Sequence, residues 1–233
     1  MWSLSPAETE ALLLSLKVAF WSVAASLPVA VALAWFLSRR DFFGKSLLDA
    51  VVHLPLVLPP VVVGYFLLIL FGKRGPIGSL LDEYFGITFA FRWTGAALAC
   101  AIMGLPLLVR AVRQSLDAVD QGLEAAAATL GASPPWVFAS VTLPLILPGI
   151  LTGVLLSFAR SLGEFGATIT FVSNIPGETQ TLPLAIYTFT QVPGGDAQAM
   201  RLCILSIILS LVALMASEFL LRRANVRVAG RDA

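Results

Sequence analysis

The sequence LLLSLKVAFWSVAASLPVAVALAWFL, residues 12–37, decides the fold class, because this run of 26 residues contains one charged side chain, Lys17. An α-helix needs about 20 mostly apolar residues to cross the hydrocarbon core of a bilayer. The run is too long for the apolar core of a signal peptide, and no basic segment precedes it. We therefore expect it to remain in the membrane as a helix.

The composition of the whole chain agrees with this interpretation. Of 233 residues, 58% are hydrophobic and 12% are charged, and the mean hydropathy is +0.89, whereas about a quarter of the residues of a soluble domain are charged. The net charge of +1 gives no indication of nucleic acid as a partner. Cys100 and Cys203 lie inside apolar runs without metal-ligand spacing, so we expect no disulfide, metal site or cofactor.

Five apolar segments are long enough to cross the membrane once each, and only helices satisfy their own backbone groups there as open-ended elements. The segments are residues 12–37, 47–71, 93–112, 145–172 and 202–221. In the second segment, HLPLVLPP contains Pro59 and Pro60, which should break or kink the helix. We predict an all-α integral membrane protein with about five transmembrane helices in a single domain, residues 1–233.

The basic residues at the ends of these segments predict the orientation of the chain. One side of the membrane receives Arg39, Arg40, Lys45, Arg110, Arg113, Arg222, Arg223, Arg227 and Arg231. The other side receives Lys17, Lys73, Arg74, Arg92 and Arg201. Because basic residues accumulate on the cytoplasmic side, we predict an external N-terminus and a cytoplasmic C-terminus.

The two longest stretches between segments have different characters. Residues 114–142, on the cytoplasmic side, are amphipathic, and apolar residues recur there at intervals of three and four: Leu116, Val119, Leu123, Ala127 and Leu130. Gly131 should end this helix, and Ser133 with Pro134 should begin the next, giving a helix-turn-helix at the inner surface. On the external side, residues 173–200 have turn-forming flanks around TLPLAIYTFTQ, which predicts one short helix.

The cytoplasmic stretch LEAAAATLGASPPWVFASVTLP, residues 123–144, resembles the EAA motif of the permease subunits of bacterial binding-protein-dependent ABC importers. The corresponding residues are Glu124, Ala125, Ala126, Gly131, Val141, Leu143 and Pro144. Val141 replaces the isoleucine of the family, and Glu124 lies one residue further from the glycine than in the family pattern. The resemblance implies that this helix sits in a cleft of an ATPase subunit and couples it to transport. Since the sequence has no GxxxxGK[ST] phosphate loop, ATP hydrolysis is expected from that partner, and no catalytic residue is expected here.

Three further blocks are very similar to molybdate permeases. They are SFARSLGEFGATITFVSNIPGETQTLPLAIYT at 157–188, HLPLVLPPVVVGYFLL at 53–68 and FGKRGPIG at 71–78. This resemblance implies the type I ABC importer permease fold, a multi-pass place in the bacterial cytoplasmic (inner) membrane, and ATP-driven import of molybdate or tungstate. The partners that it implies are a second copy of the chain, two ATP-binding subunits, a periplasmic molybdate-binding protein and membrane lipid, without nucleic acid.

Alternatives stay open on the sequence alone. Sulfate permeases share the architecture, and a tetrahedral dianion offers little to distinguish the substrates. A secondary transporter is a second class, but it would need paired ionisable groups near the middle of the membrane or an inverted repeat. A membrane-embedded enzyme is a third, but the sequence offers no Ser/His, Cys/His or metal-spaced cluster.

Polar residues in the fourth segment predict where a translocation path would run. Ser157, Ser161, Glu164 and Thr168 are spaced to share one face of a continuous helix. Arg160 precedes Glu164 by four residues, so the two side chains can pair and offset the cost of burying charge. We add Pro59 and Pro60, because a broken helix is tolerated where a water-lined path satisfies its freed carbonyls. The alternative is that the hydroxyl groups hold helices together.

Overall fold

The computed structural model describes residues 4–229, with side chains described through Ala216 and again at Phe219. Within this part of the chain all regular structure is helical, which confirms the predicted class. The helices are α1 (Pro6–Arg39), α2 (Lys45–Val57), α3 (Pro60–Phe71), α4 (Pro76–Phe85), α5 (Trp93–Asp117), α6 (Gln121–Thr129), α7 (Pro134–Val137), α8 (Leu143–Leu162), α9 (Gly166–Val172), α10 (Leu182–Gln191) and α11 (Asp196–Ala229). Four of the basic residues used for the orientation, Arg222, Arg223, Arg227 and Arg231, lie outside the residues whose side chains are described.

Four helical stretches of the described chain are long and apolar enough to cross a membrane: Pro6–Arg39, Trp93–Asp117, Pro134–Leu162 and Asp196–Ala216. The second predicted segment forms the pair α2 and α3, which meet at an angle of 113° and count as a fifth span if taken together. The number of about five apolar spans is therefore confirmed, although one of them is not a single helix.

The bend between α2 and α3 follows from the two consecutive prolines. A proline forces the residue before it into an extended conformation, and Leu58 (ψ 143°) and Pro59 (ψ 131°) both adopt one. Pro60 then occupies the start of α3, where its missing N–H costs no hydrogen bond. The predicted break is confirmed, and it is a sharp corner instead of a small kink.

The fourth predicted segment is not one helix, and this corrects the sequence prediction. α8 ends at Leu162 and α9 begins at Gly166. The Glu164 carboxylate between them accepts the backbone N–H of Ala167 at 2.8 Å, which satisfies one of the free N–H groups at the start of α9. Ser157, Ser161, Glu164 and Thr168 therefore do not share one face of a continuous helix.

Helix α1 packs against α5 and α8 through a row of small side chains. Its buried residues include Ala19, Ser22, Ser26, Ala30 and Ala34, spaced by three or four positions. Small side chains let helix backbones approach closely, which drives helix association in lipid, where apolar surface alone gives little preference. Large apolar residues of the chain remain on the outer surface, as expected of a protein whose solvent is hydrocarbon.

At the end of the fold that holds the N-terminus of α1, three elements meet. The side chain of Glu8 is fully buried and forms an ion pair with Arg201 of α11 at 2.9 Å. Ser15 accepts the backbone N–H of Leu182 at 2.7 Å, which caps the start of α10. The predicted short helix between residues 173 and 200 is observed as α10, and these contacts hold its end of the fold against α1.

Candidate coupling and translocation site

The predicted amphipathic helix beginning near residue 114 is two helices. α5 continues to Asp117, and α6 starts at Gln121 because the Asp120 carboxylate accepts the Gly122 backbone N–H at 2.8 Å. Leu116 lies buried in the core on α5, whereas Leu123 on α6 is exposed. The apolar residues that recur in the sequence therefore belong to two different surfaces, and the prediction of one continuous face is wrong.

The turn after α6 has the geometry that the sequence predicts. Gly131 has φ +87°, which is left-handed, and its N–H bonds to the Ala128 carbonyl at 3.0 Å. The N–H of Ala132 bonds to the Ala127 carbonyl at 3.2 Å, and together these two bonds form a Schellman cap. Pro134 is the first residue of α7, preceded by an extended Ser133 whose side chain makes no capping hydrogen bond.

The face of α6 and its turn that points away from the membrane helices is apolar and exposed. No residue of α6 is buried, and Ala125 and Ala126 are both exposed. Leu130 is 89% exposed and Trp136 is 60% exposed. An exposed apolar patch rimmed by polar residues marks a contact site for another protein, and small alanines allow such a partner to approach closely.

Glu124 points in the opposite direction and joins three elements. Its Oε1 atom lies 3.0 Å from the Arg39 guanidinium at the end of α1 and accepts the Thr142 hydroxyl at 2.6 Å. The side chain is 23% exposed, unlike the open alanines that follow it. Hydrogen bonds to ionised groups are about twice as strong as neutral ones. We name this contact of Arg39, Glu124 and Thr142 the inner junction.

The chain continues from the turn into the membrane without a non-helical residue. A π-helical turn, Phe138–Thr142, connects α7 to α8, so that Pro134–Leu162 is one helical stretch of 29 residues. Val141 lies in the π-helical turn, and Leu143 packs against the core formed by α1, α5 and α8. Pro144 is exposed in the first turn of α8. A displacement of the turn can therefore pass directly along α8.

The three hydroxyl residues predicted for the translocation path are buried between helices. Ser157 lies so close to Gly104 that a Cβ at that glycine would be 2.2 Å from the Ser157 Oγ. The Ser161 hydroxyl lies 3.0 Å from that of Ser22 on α1, and Thr168 donates to the Phe165 carbonyl at 2.9 Å. Of the three hydroxyl groups, only that of Ser161 makes a hydrogen bond to another helix, and the role of all three in transport stays a prediction.

Arg160 and Glu164 form the pair that the sequence predicts. Arg160 Nη1 lies 2.7 Å from Glu164 Oε2, and the Glu164 side chain is almost fully buried whereas that of Arg160 is 31% exposed. Glu164 therefore acts as the fixed partner, since its other oxygen caps α9. Arg160 is the member of the pair that can meet an anion.

The two broken segments of the fold meet each other. A Cβ on Gly166, at the start of α9, would lie 2.8 Å from the Cβ of Pro60, and one on Gly64 would lie 2.5 Å from the Ala167 carbonyl oxygen. The structure thus brings Pro60 close to the break that contains Glu164. Irregular backbone inside a membrane is tolerated where it is packed in protein or lines a water-filled path.

Two polar clusters near the end of the fold that holds the N-terminus of α1 were not found from the sequence. Asn174 donates to Thr188 at 2.7 Å, and Gln180 donates to both residues. The buried pair of Glu8 and Arg201 is the second cluster. A local signal existed for Glu8, because SPAE at residues 5–8 has the spacing of a capping box and the structure contains one. The pairing of Glu8 with Arg201, far apart in the chain, has no comparable signal in the sequence.

Comparison with known proteins shows the class to which this architecture belongs. The family of binding-protein-dependent transport system inner membrane components matches residues 26–226. The chain belongs to this family, and it is therefore a multi-pass inner-membrane permease subunit and not itself a catalytic enzyme.

Within this family, the chain is similar to permeases that are named as molybdenum transport proteins. It is 60% identical to the molybdenum transport system permease protein ModB of Escherichia coli K12, over 98% of this chain and 99% of that protein. It is 58% identical to ModB of Haemophilus influenzae, over 95% and 96% of the two chains. A solved bacterial ABC transporter for the polysaccharide alginate matches 94% of this chain and 80% of its own with a TM-score of 0.75 and 16% identity, which supports the importer permease fold alone.

Proposed function

We propose that this chain is the membrane-spanning subunit through which an ATP-driven importer carries molybdate, and with it tungstate, across the inner membrane. The observation that carries the proposal is 60% identity to a molybdenum permease over nearly the full length of both chains. The whole chain, residues 1–233, then acts as a single permease domain.

The assembly that we propose contains two copies of this chain, two ATP-binding subunits and a periplasmic molybdate-binding protein, surrounded by membrane lipid. The ATPase contacts the exposed Ala125, Ala126 and the turn at Gly131. The inner junction and the helical stretch with Val141, Leu143 and Pro144 then transmit its movement to α8. Glu124 acts within this chain, because its carboxylate is engaged by Arg39 and Thr142.

For the path itself we propose that Arg160 meets the oxyanion while Glu164 holds the guanidinium in place. A free carboxylate would repel a dianion, so the pairing of Glu164 supports this division of roles. Ser157, Ser161 and Thr168 reach the path when α8 and α9 separate from α1. Pro60 borders it through the contact with Gly166, next to Pro59 at the corner between α2 and α3.

Single cysteines test the path. At positions 157, 161 and 168, with both native cysteines replaced, we expect little reaction with a water-soluble thiol reagent at rest and clear reaction during ATP-driven transport, because the side chains are buried now. A cysteine replacing buried Ser15, which caps α10, is the control and should stay protected in both states. If none of the three cysteines reacts with the reagent while the protein transports, the path does not run past these positions.

The orientation is tested by fusing an enzyme that is active only in the periplasm. After Arg223 the fusion should be inactive, because the basic residues place that end in the cytoplasm. After Gly194, between α10 and α11, it should be active. The reverse pattern overturns the orientation.

Substrate identity is tested by uptake in cells that lack their own molybdate permease. We expect uptake of molybdate at low concentration, strong competition by tungstate and weak competition by sulfate. If sulfate competes with molybdate as strongly as tungstate does, the molybdate assignment is wrong. The family assignment is unaffected by that result.

A further inference from the structure

A large groove opens between the inner half of α1 and the turn that joins α6 to α7. It encloses about 1310 Å³, and its walls include Leu27, Val31 and Phe36 on one side and Val137 and Phe138 on the other. The groove is separate from Arg160 and the break between α8 and α9. An apolar groove of this kind in a membrane protein is suited to hydrocarbon chains.

The end of the groove is basic. Arg39 and Arg40 both line it. The charge of Arg39 is met by Glu124 at 3.0 Å, but Arg40 is exposed and forms no ion pair within the part of the chain that the structure describes. Among the described residues, the charge of Arg40 at the mouth of the apolar groove is therefore uncompensated, which fits an occupant with an anionic head and an apolar body.

The depth of the groove argues against a water-soluble occupant. Leu27 lies 12 residues before Arg39, so the groove follows α1 for about 18 Å at 1.5 Å per residue. A cytoplasmic subunit that contacts α6 does not enter the hydrocarbon region to that depth. Trp35 also lines the groove near its basic end, at the position where aromatic side chains prefer the membrane interface.

We propose that this groove binds one anionic phospholipid of the inner leaflet, with its phosphate at Arg40 and its acyl chains along Val31, Phe36 and Val137. Anionic headgroups attract basic residues at the cytoplasmic surface, and arginine matches the geometry of a phosphate oxygen pair. The inference rests on the orientation given under the proposed function, but it does not depend on the transported substrate. A bound lipid would contact the inner junction directly, since Arg39 and Glu124 also line the groove.

The test is native mass spectrometry of the full chain, purified in detergent and incubated with vesicles of phosphatidylglycerol and phosphatidylcholine. We expect one retained phosphatidylglycerol, bound about fivefold more weakly by Arg40→Gln, because one arginine near an anionic surface contributes on that order. Ala32→Trp, which fills the groove from α1, should remove the adduct. Arg110→Gln changes an exposed arginine outside this groove and should retain it.

Three results overturn the proposal: equal retention by all variants, equal retention of the two lipids, or efficient crosslinking of a cysteine at position 32 to a second copy of the chain. The last result makes the groove an interface between copies. Because the readout is lipid binding, a failure here leaves the permease proposal standing, and a wrong substrate assignment leaves this result unchanged.

Discussion

Glu124→Ala is expected to reduce molybdate uptake by about tenfold or more, because it removes two hydrogen bonds to an ionised group, each worth about 1.5–3 kcal/mol. The carboxylate joins α6 to the end of α1 and the start of α8 through Arg39 and Thr142. Without it, the turn after α6 can still meet an ATPase through its exposed alanines, but α6 is no longer tied to Arg39 and Thr142, so its movement reaches α8 only through α7. We therefore expect ATP hydrolysis by the assembled complex to continue while uptake falls.

Three comparisons separate this effect from general destabilisation. Arg39→Ala should resemble Glu124→Ala, and the double variant should be no worse than either, since the two residues act as a unit. The exchange of Arg39→Glu with Glu124→Arg should recover part of the uptake. Lys45→Ala breaks the exposed pair of Lys45 and Asp41 and should have little effect. Additive losses from Arg39 and Glu124 contradict the inner junction.

Gly131→Val is expected to uncouple ATP hydrolysis from uptake in a chain that still inserts into the membrane. A β-branched side chain is strained at φ +87°, although a Cβ would meet no neighbouring atom. The strain should open the Schellman cap and turn the exposed face of α6 away from its partner. Gly131→Asn should keep most of the uptake, because asparagine tolerates the left-handed region.

A second glycine provides a matched control. Gly86 also follows a helix with positive φ (+64°) and open space around its Cβ position, but it ends α4 between the second and third predicted segments. Gly86→Val should therefore suffer similar strain without uncoupling. If Gly131→Val transports normally, or if both valine variants fail equally, the turn has no specific part in coupling. ATP hydrolysis and uptake measured on the same proteoliposomes decide between these outcomes.

The parts of the fold that could be predicted are those with local causes. The prolines at 59 and 60 restrict their own dihedral angles and those of the residues before them. The sequence HLPLVLPP, residues 53–60, is therefore enough to predict the corner between α2 and α3. Gly131 is similar, because a left-handed helix end strongly favours glycine. The span number followed from length and apolar composition, which the bilayer dictates.

The parts that could not be predicted depend on distant partners or on weak local signals. Arg39 and Glu124 are 85 positions apart, and nothing in either neighbourhood specifies the other. The break between α8 and α9 is local, but no proline marks it, because Pro148 of this apolar run lies inside α8. Hydropathy alone therefore predicts one helix. Its signal is the GEFG sequence at 163–166, in which two glycines flank the carboxylate that caps α9.

The most direct test of the central claim is uptake of labelled molybdate by proteoliposomes that contain this chain, its ATP-binding subunit and the soluble molybdate-binding protein. We predict accumulation against a gradient only when ATP is present on the side of the ATPase and the binding protein is on the other side. Omission of any one of the three proteins should abolish it. Molybdate accumulation by this chain without the ATP-binding subunit, driven by an ion gradient, would contradict the account.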